Sequence, residues 1–353
     1  MKKIIIGIAV ILVVFILIFL LKPAPIDAVA FHPPDAPEFT GVLAPNNLLQ
    51  EAELLAQGQI VGPEEIAVDS MGHVYGGLED GKIIRVLPDG SLETFAETGG
   101  RPLGMKFDGS GNLIVCDPYK GLLSVDPQGE ILTLANSVDG VPINFADALD
   151  ISSEGIIYFS DASTKYDLHD DLYGLLESKA YGRFLSYDPA TGEVKVLLED
   201  LYFANGVALS PEEDFVLINE TYRYRITRYW LKGPDAGTHE IFVDNLPGFP
   251  DNISVNRKGN FWVALFTIRN EAADKLHPFP IRKNLLSKVP PGLWPKANTY
   301  GLVLELDAQG NIIQSLHDPT GEYLTGITSA QEYGDYLYLG SLHNDRIGKY
   351  KLP

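Results

Sequence analysis

A chain of 353 residues with 47 Asp and Glu against 27 Lys and Arg carries a net charge of −20, too acidic for its body to bind nucleic acid or an anionic bilayer surface. Its single cysteine, Cys116, excludes an intrachain disulfide, so stability must come from packing. No P-loop, dinucleotide GxGxxG, HExxH zinc helix or GxSxG nucleophile elbow survives inspection.

In chain order, the first element is Ile4 to Leu21, 18 uncharged residues, enough for a helix to cross a bilayer. Lys2 and Lys3 precede it and favour the cytoplasmic side, so residues 1–21 are expected as a single-pass anchor with the rest extracytoplasmic. Ala28-Val29-Ala30 resembles a cleavage site, leaving a secreted or periplasmic product as the alternative. Residues 22–47, with Pro23, Pro25, Pro33, Pro34 and Pro37, are expected as a stiff, extended stalk.

Residues 48–353 hold one pattern six times. A polar position precedes two apolar ones at steps of two: Ile66/Val68, Met105/Phe107, Leu149/Ile151, Val207/Leu209, Ile253/Val255 and Ile327/Ser329. Period two marks a strand with a buried face. Second and third strands follow in every copy, such as GNLIVCD and GLLSVDPQG, and a fourth in five copies. Each copy is therefore a four-stranded meander, and the chain is predicted to be all-β, a six-bladed propeller preceded by one transmembrane helix. The sixth copy stops after its third strand. Leu48 to Ala56 is expected to supply the missing strand beside Arg346 to Leu352 and close the ring.

The repeated first position holds Glu64, Leu103, Asp147, Asn205, Asp251 and Thr325. Equivalent residues of a ring converge on its axis, so Glu64, Asp147, Asn205 and Asp251 would crowd charge that resists ionising unless a cation compensates. Calcium suits an all-oxygen set of carboxylates and amides; zinc would recruit His or Cys. His32, His73, His169, His239 and His317 show no ligand spacing and read as surface or turn residues. Second strands return to the same face, which places Asp117, Asp161, Glu220, Thr267 and His343 at the rim of the metal.

The segments GPEEIAVD (Gly62 to Asp69), GRPLGMKFD (Gly100 to Asp108), FANGVALSP (Phe203 to Pro211) and LPGFPDNIS (Leu246 to Ser254) resemble the strictosidine synthase-like branch of calcium-dependent six-bladed propellers. That superfamily includes paraoxonases, gluconolactonases of the senescence-marker-protein type and diisopropyl fluorophosphatase. Motif order is most similar to the adipocyte plasma membrane-associated type. The resemblance implies calcium at the axis, with Glu64, Asn205 and Asp251 as ligands and Asn252 as an additional or alternating one. The Asn-Asp pair usual in the third blade is here Asp147-Ala148, with Asn144 an alternative ligand if the register is shifted. Leu103 and Asp117 stand where paraoxonases carry a histidine dyad. Thr325 to Thr328 lacks the last-blade glutamate of strictosidine synthases, so that synthesis is disfavoured.

Two insertions between second and third strands, Ser163 to Gly182 and Thr267 to Tyr300, are expected as lids on the metal face, the second lining an apolar pocket or touching the membrane. The expected function is a membrane-anchored calcium-dependent hydrolase of small-molecule esters or lactones with an apolar part, with Asp251 or His343 as base or nucleophile. The alternative is a non-catalytic propeller that binds a ligand or protein partner.

Overall fold

The computed structural model describes residues 2–353; the side chains of residues 2, 9–13 and 15–17 lie outside that description. Six antiparallel four-stranded sheets surround one axis. Their inner strands are Ile66–Val68, Met105–Phe107, Ala146–Ile151, Ala204–Leu209, Gly248–Val255 and Ile327–Tyr333. Neighbouring inner strands touch in ring order, and the first meets the last.

Blades 1 to 5 each run consecutively from the inner strand outward, whereas blade 6 takes its outer strand from the other end of the propeller sequence. Glu53–Leu55 pairs with Ile347–Lys351 in the register Glu53↔Lys349, Leu54↔Gly348, Leu55↔Ile347. The closing strand is shorter than residues 48–56 because Leu48–Glu51 forms a 3-10 turn, burying Leu49 against the outer strand of blade 5.

Six separate hydrophobic clusters fill the spaces between blades. Leu217 faces the interface of blades 4 and 5, while its neighbours Val216 and Ile218 face that of blades 3 and 4. Second strands are thus buried on both faces, which is why VLIN and FWVALF are nearly continuous apolar runs.

Both insertions carry helices after the N-terminal helix α1 (Lys2–Leu21): α2 (Asp171–Glu177) in the first, and α3 (Glu271–Leu276) and α4 (Pro280–Leu286) in the second. They meet through Leu176, Leu276, Leu286, Tyr173 and Trp294. The stalk is extended, as its prolines require, but it is not a free spacer. Ile26 and Ala28 are buried in this lid cluster. Val29 N–H donates to the Glu177 carbonyl at 3.0 Å and Phe31 N–H to that of His277 at 3.1 Å. Lys283, fully buried, donates to Val29 O at 2.5 Å and to Ser178 Oγ at 2.8 Å. Arg269 caps Pro34 O at 2.6 Å.

A helix, Lys2–Leu21, precedes the stalk, and Lys288 of the second lid donates to the carbonyls of Phe19 and Leu20 at its end. Among the described residues no helix is long and apolar enough to cross a membrane. The expected anchor, Ile4 to Leu21, lies partly outside them, since residues 9–13 and 15–17 are among those whose side chains are not described.

Candidate metal centre at the propeller axis

Inner strands of blades 3, 4 and 5 each slip register at the same level: between Ala146 and Leu149, Ala204 and Val207, and Pro250 and Ile253. Bulges of this kind re-aim the side chains they hold, here Asp147, Asn205, Asp251 and Asn252. Blade 6 slips between Ile327 and Ser329, so Thr328 rather than Thr325 is the equivalent residue. Thr325 sits outward, with its hydroxyl accepting from Tyr300 N–H. Sequence alternation missed this because Ala330 and Glu332 follow Thr328 where apolar pairs mark the other inner strands. The Thr328 hydroxyl donates to Glu64 O at 2.6 Å, fastening blade 6 to blade 1 at the axis.

Two glycines let the strands close at this height. A Cβ on Gly206 would lie 2.5 Å from Asp251 O, and one on Gly104 2.6 Å from Asp147 O, so any side chain there would force the inner strands apart. Asn219, on the second strand of blade 4, donates its amide to Asp251 O at 2.5 Å and holds that residue from behind. Neither Asn219 nor Gly206 was singled out from sequence. FANGVALSP places the glycine beside Asn205, which is the only sequence-level signal.

Asn252 Nδ2 donates to Glu64 Oε1 at 3.2 Å, linking blades 5 and 1 past blade 6. Glu64, Asp147, Asn205, Asp251 and Asn252 are all buried. Yet Glu64 Oε2 and Asn205 Oδ1 have no hydrogen-bond partner, and the side chain that eases Asp251 is Asn205, a member of the same set. Burial pushes Glu64 up to about 7 and, joined by repulsion from Glu64, pushes Asp147 and Asp251 well above the carboxylate range. One buried cation offsets Glu64: Arg101 of the GRPLG segment, which donates to Gly62 O at 2.9 Å. Sequence reasoning passed over Arg101 because a single arginine beside a glycine carries no pattern.

An unpartnered carboxylate oxygen and an unpartnered amide oxygen beside two more buried acids are the donors a hard cation satisfies, and neither His nor a reactive thiol joins them among the described residues. Groups of three or more His, Cys, Asp and Glu placed to hold a metal are absent among the described residues. A cation at the axis would therefore depend on the Asn205 and Asn252 amides and on water as well as on the acids.

The rim expected from second-strand ends is different in kind. Asp117 accepts from Thr98 Oγ1 at 2.7 Å and Tyr119 N at 2.9 Å. Asp161 holds Arg183 at 2.5 Å and Phe145 N at 2.8 Å. Glu220 accepts from Arg225, Thr227 and Tyr202 N. These three acids are fully buried and used up in locking loops to blades, so they do not rim the axis with free oxygens. Thr267 likewise donates to Asn298 O. Asn144 bonds Ser163 O, away from the axial set. His343 is exposed on the blade 6 loop, edge-on to Phe266 at 5.9 Å and under the influence of Glu79 and Arg101 rather than Asp251. His317 is not a surface residue: it is fully buried between Tyr300 OH at 2.9 Å and Ser315 Oγ at 2.8 Å.

An apolar wall adjoins the axial oxygens. Leu103, Phe145 and Ala162 pack together with Leu168 and Phe203. Leu103 holds the axial position of blade 2, while Phe145 and Phe203 each stand two residues before an axial residue.

Residues 147–234 match the strictosidine synthase family, and residues 41–86 match the strictosidine synthase-like N-terminal family. The adipocyte plasma membrane-associated protein of Bos taurus is 39% identical over 94% of this chain and 86% of its own length. A gluconolactonase from Xanthomonas campestris shares the fold with a TM-score of 0.64 at 18% identity, covering 94% of this chain and 99% of its own. A calcium-binding protein, regucalcin, from Agrobacterium tumefaciens does so with 0.58 at 15%, covering 87% and 94%. At such identities the two structures speak for the fold alone. The sequence relationship goes further: the chain belongs to the strictosidine synthase-like family of six-bladed propellers, alongside the adipocyte plasma membrane-associated proteins.

Proposed function

We propose that this chain is a membrane-anchored, calcium-dependent hydrolase of esters or lactones with an apolar part. The observation that carries the reading is the buried set of Glu64, Asp147, Asn205 and Asp251, with Glu64 Oε2 and Asn205 Oδ1 unpartnered, beside an apolar wall. Lactone chemistry and calcium are named for relatives of the same fold, which supports the direction without fixing the substrate.

Glu64, Asp147, Asn205, Asp251 and Asn252 would hold the cation. Bound there, calcium supplies Lewis-acid polarisation of a carbonyl oxygen. Leu103, Phe145 and Phe203 would offer a surface for an acyl or aryl group. Asp251 as ligand and base, and His343 at the rim, are the proton carriers first suggested by position. Helix Lys2–Leu21 would anchor the propeller on the extracytoplasmic side, in keeping with the membrane association in the relatives' name. Its end is bonded to the second lid, so exposed Ile281 and Leu293 would lie close to the bilayer.

Leu103 at the axis and the locked Asp117, in place of a ready acid–base dyad, favour the alternative of a binding propeller with structural calcium. Purified protein assayed on aryl esters and lactones separates the two. Turnover that disappears with chelator and returns with calcium is expected; a folded, calcium-loaded protein without turnover across the panel would sink the hydrolase reading.

A further inference from the structure

The second lid runs against the charge of the chain. In a protein of net charge −20, the stretch from Lys275 to Leu304 holds Lys275, Arg282, Lys283, Lys288 and Lys296 and not one Asp or Glu. The acids just before it are engaged: Glu271 pairs with Lys275, and Asp274 with Arg269 and the Tyr224 hydroxyl. Arg282 instead stacks on Phe279, its guanidinium carbon 4.2 Å from the ring centre, and Lys288 donates to the carbonyls at the end of α1.

The same lid carries the barest apolar side chains. Outside α1, Ile281 at 77% and Leu293 at 75% are the most exposed large hydrophobic residues among those described, and Phe279 beside them is exposed too. Packing of α4 explains Ile281: Lys283, Leu286 and Ser287 share one helical face and turn it to the stalk and the lid cluster, which leaves Ile281 and Arg282 outward. Leu293 ends a 3-10 turn, Pro291–Leu293, flanked by prolines that have no N–H. Leu293 N–H donates to Pro290 O and Trp294 N–H to Pro291 O, both at 2.9 Å, and the Trp294 indole to Val289 O at 2.8 Å. A tip whose donors are satisfied within itself leaves water at low cost.

We propose that the second lid is a membrane-docking surface in its own right, seating Phe279, Ile281 and Leu293 at the headgroup–acyl boundary of a bilayer that bears anionic lipids, with Arg282 and Lys296 on their phosphates. The proposal rests on the membrane-anchored part of the reading above and adds a contact that the anchor does not make. A bilayer is the occupant, rather than a protein, because Lys288 already bonds this lid to the end of α1, the helix that would enter the bilayer. The net charge of −20 does not oppose docking: charges farther off than a Debye length of about 8 Å are screened, while the cations of the lid lie at the contact. Docked this way, the propeller face from which both lids rise lies against the bilayer and the opposite face points away.

The test uses the full chain reconstituted with vesicles of phosphatidylcholine, alone or mixed with phosphatidylglycerol. Cys116 is fully buried, so Ile281→Cys, Leu293→Cys and Met71→Cys each offer one accessible thiol for a fluorescent label. Met71 is exposed on the turn after the first strand of blade 1, on the opposite face, and serves as the reference. In mixed vesicles, nitroxide lipids are expected to quench the labels at 281 and 293 about threefold more than the label at 71, as an interfacial contact requires. Adding Arg282→Gln and Lys296→Gln to the Ile281→Cys protein should lower its quenching to the level in pure phosphatidylcholine, since each cation at an anionic surface is worth about fivefold in partition. Labels at 281 and 293 quenched no more than at 71, on protein that floats with the vesicles, overturn lid docking and leave the anchor standing. Quenching that ignores both phosphatidylglycerol and the glutamine pair overturns the anionic-lipid recognition proposed here. Protein that floats with neither vesicle overturns the anchored reading, and lid docking with it.

Discussion

Two sets of acids are buried on the same face of this propeller, and they do opposite things. Asp117, Asp161 and Glu220, at the ends of second strands, are fully buried and saturated with donors. Glu64, Asp147 and Asp251, at the starts of inner strands, are nearly as deep but far from saturated: Glu64 accepts from Asn252 alone and its Oε2 has no partner. Burial therefore does not separate a structural acid from a functional one. The count of satisfied oxygens does, because leaving a buried charge unpaired is tolerated only where something else compensates it.

The largest effect should come from breaking a saturated acid. Asp161→Asn leaves Arg183 buried without its charge partner and is expected to cost about 3–5 kcal/mol in urea unfolding, with calcium affinity unchanged. A loss under 1 kcal/mol would show that the lock is not a lock.

Removing an unsaturated group should reverse the pattern. Glu64→Gln, Asn205→Ala and Asp251→Asn should each weaken calcium binding about 10- to 100-fold by titration calorimetry, the loss of one ligand's worth of interaction at about 1.4 kcal/mol per tenfold. Unchanged affinity in all three would remove the axial assignment. Metal-free protein sharpens the contrast further. With chelator present, Asp147→Asn should raise stability by about 1 kcal/mol at pH 7.5, since it removes a carboxylate that burial and Glu64 already disfavour. A melting temperature lowered as far as by Asp161→Asn would place Asp147 among the structural acids instead.

The same contrast explains what the sequence made legible. Period-two alternation and turn residues revealed six blades, and a missing fourth strand pointed to the closing segment before Ala56. Glu64, Asp147, Asn205 and Asp251 were found because five of the six copies keep one register. Thr328 was missed because blade 6 lacks the apolar pair that sets the frame. The rim acids were misjudged for another reason: strand direction tells which face a residue reaches, while its partners come from a neighbouring strand or another blade, as Arg183 and Thr98 do.

Stalk and lids bury Lys283 against Val29 O and Ser178 Oγ, and His317 on blade 5 shows a buried polar group satisfied in its simplest form. Burial lowers His317 to about 4, and Tyr300 and Ser315 satisfy both ring nitrogens of the neutral imidazole. Unfolded, the ring titrates near its ordinary 6.5. Between those values the unfolded chain binds the extra proton, so its share of stability is complete above about 6.5 and is lost as pH falls toward about 4. His317→Gln should give a smaller drop in melting temperature between pH 7 and pH 4.5 than wild type, at a modest cost at pH 7 where one hydrogen bond is replaced imperfectly. Equal acid sensitivity in both proteins would assign the drop to His277 instead, which burial lowers to about 3 beneath the stalk. That outcome would move the acid-labile point from the blade to the lid, and lid opening, measured by hydrogen exchange at Phe31, would then precede unfolding of the ring.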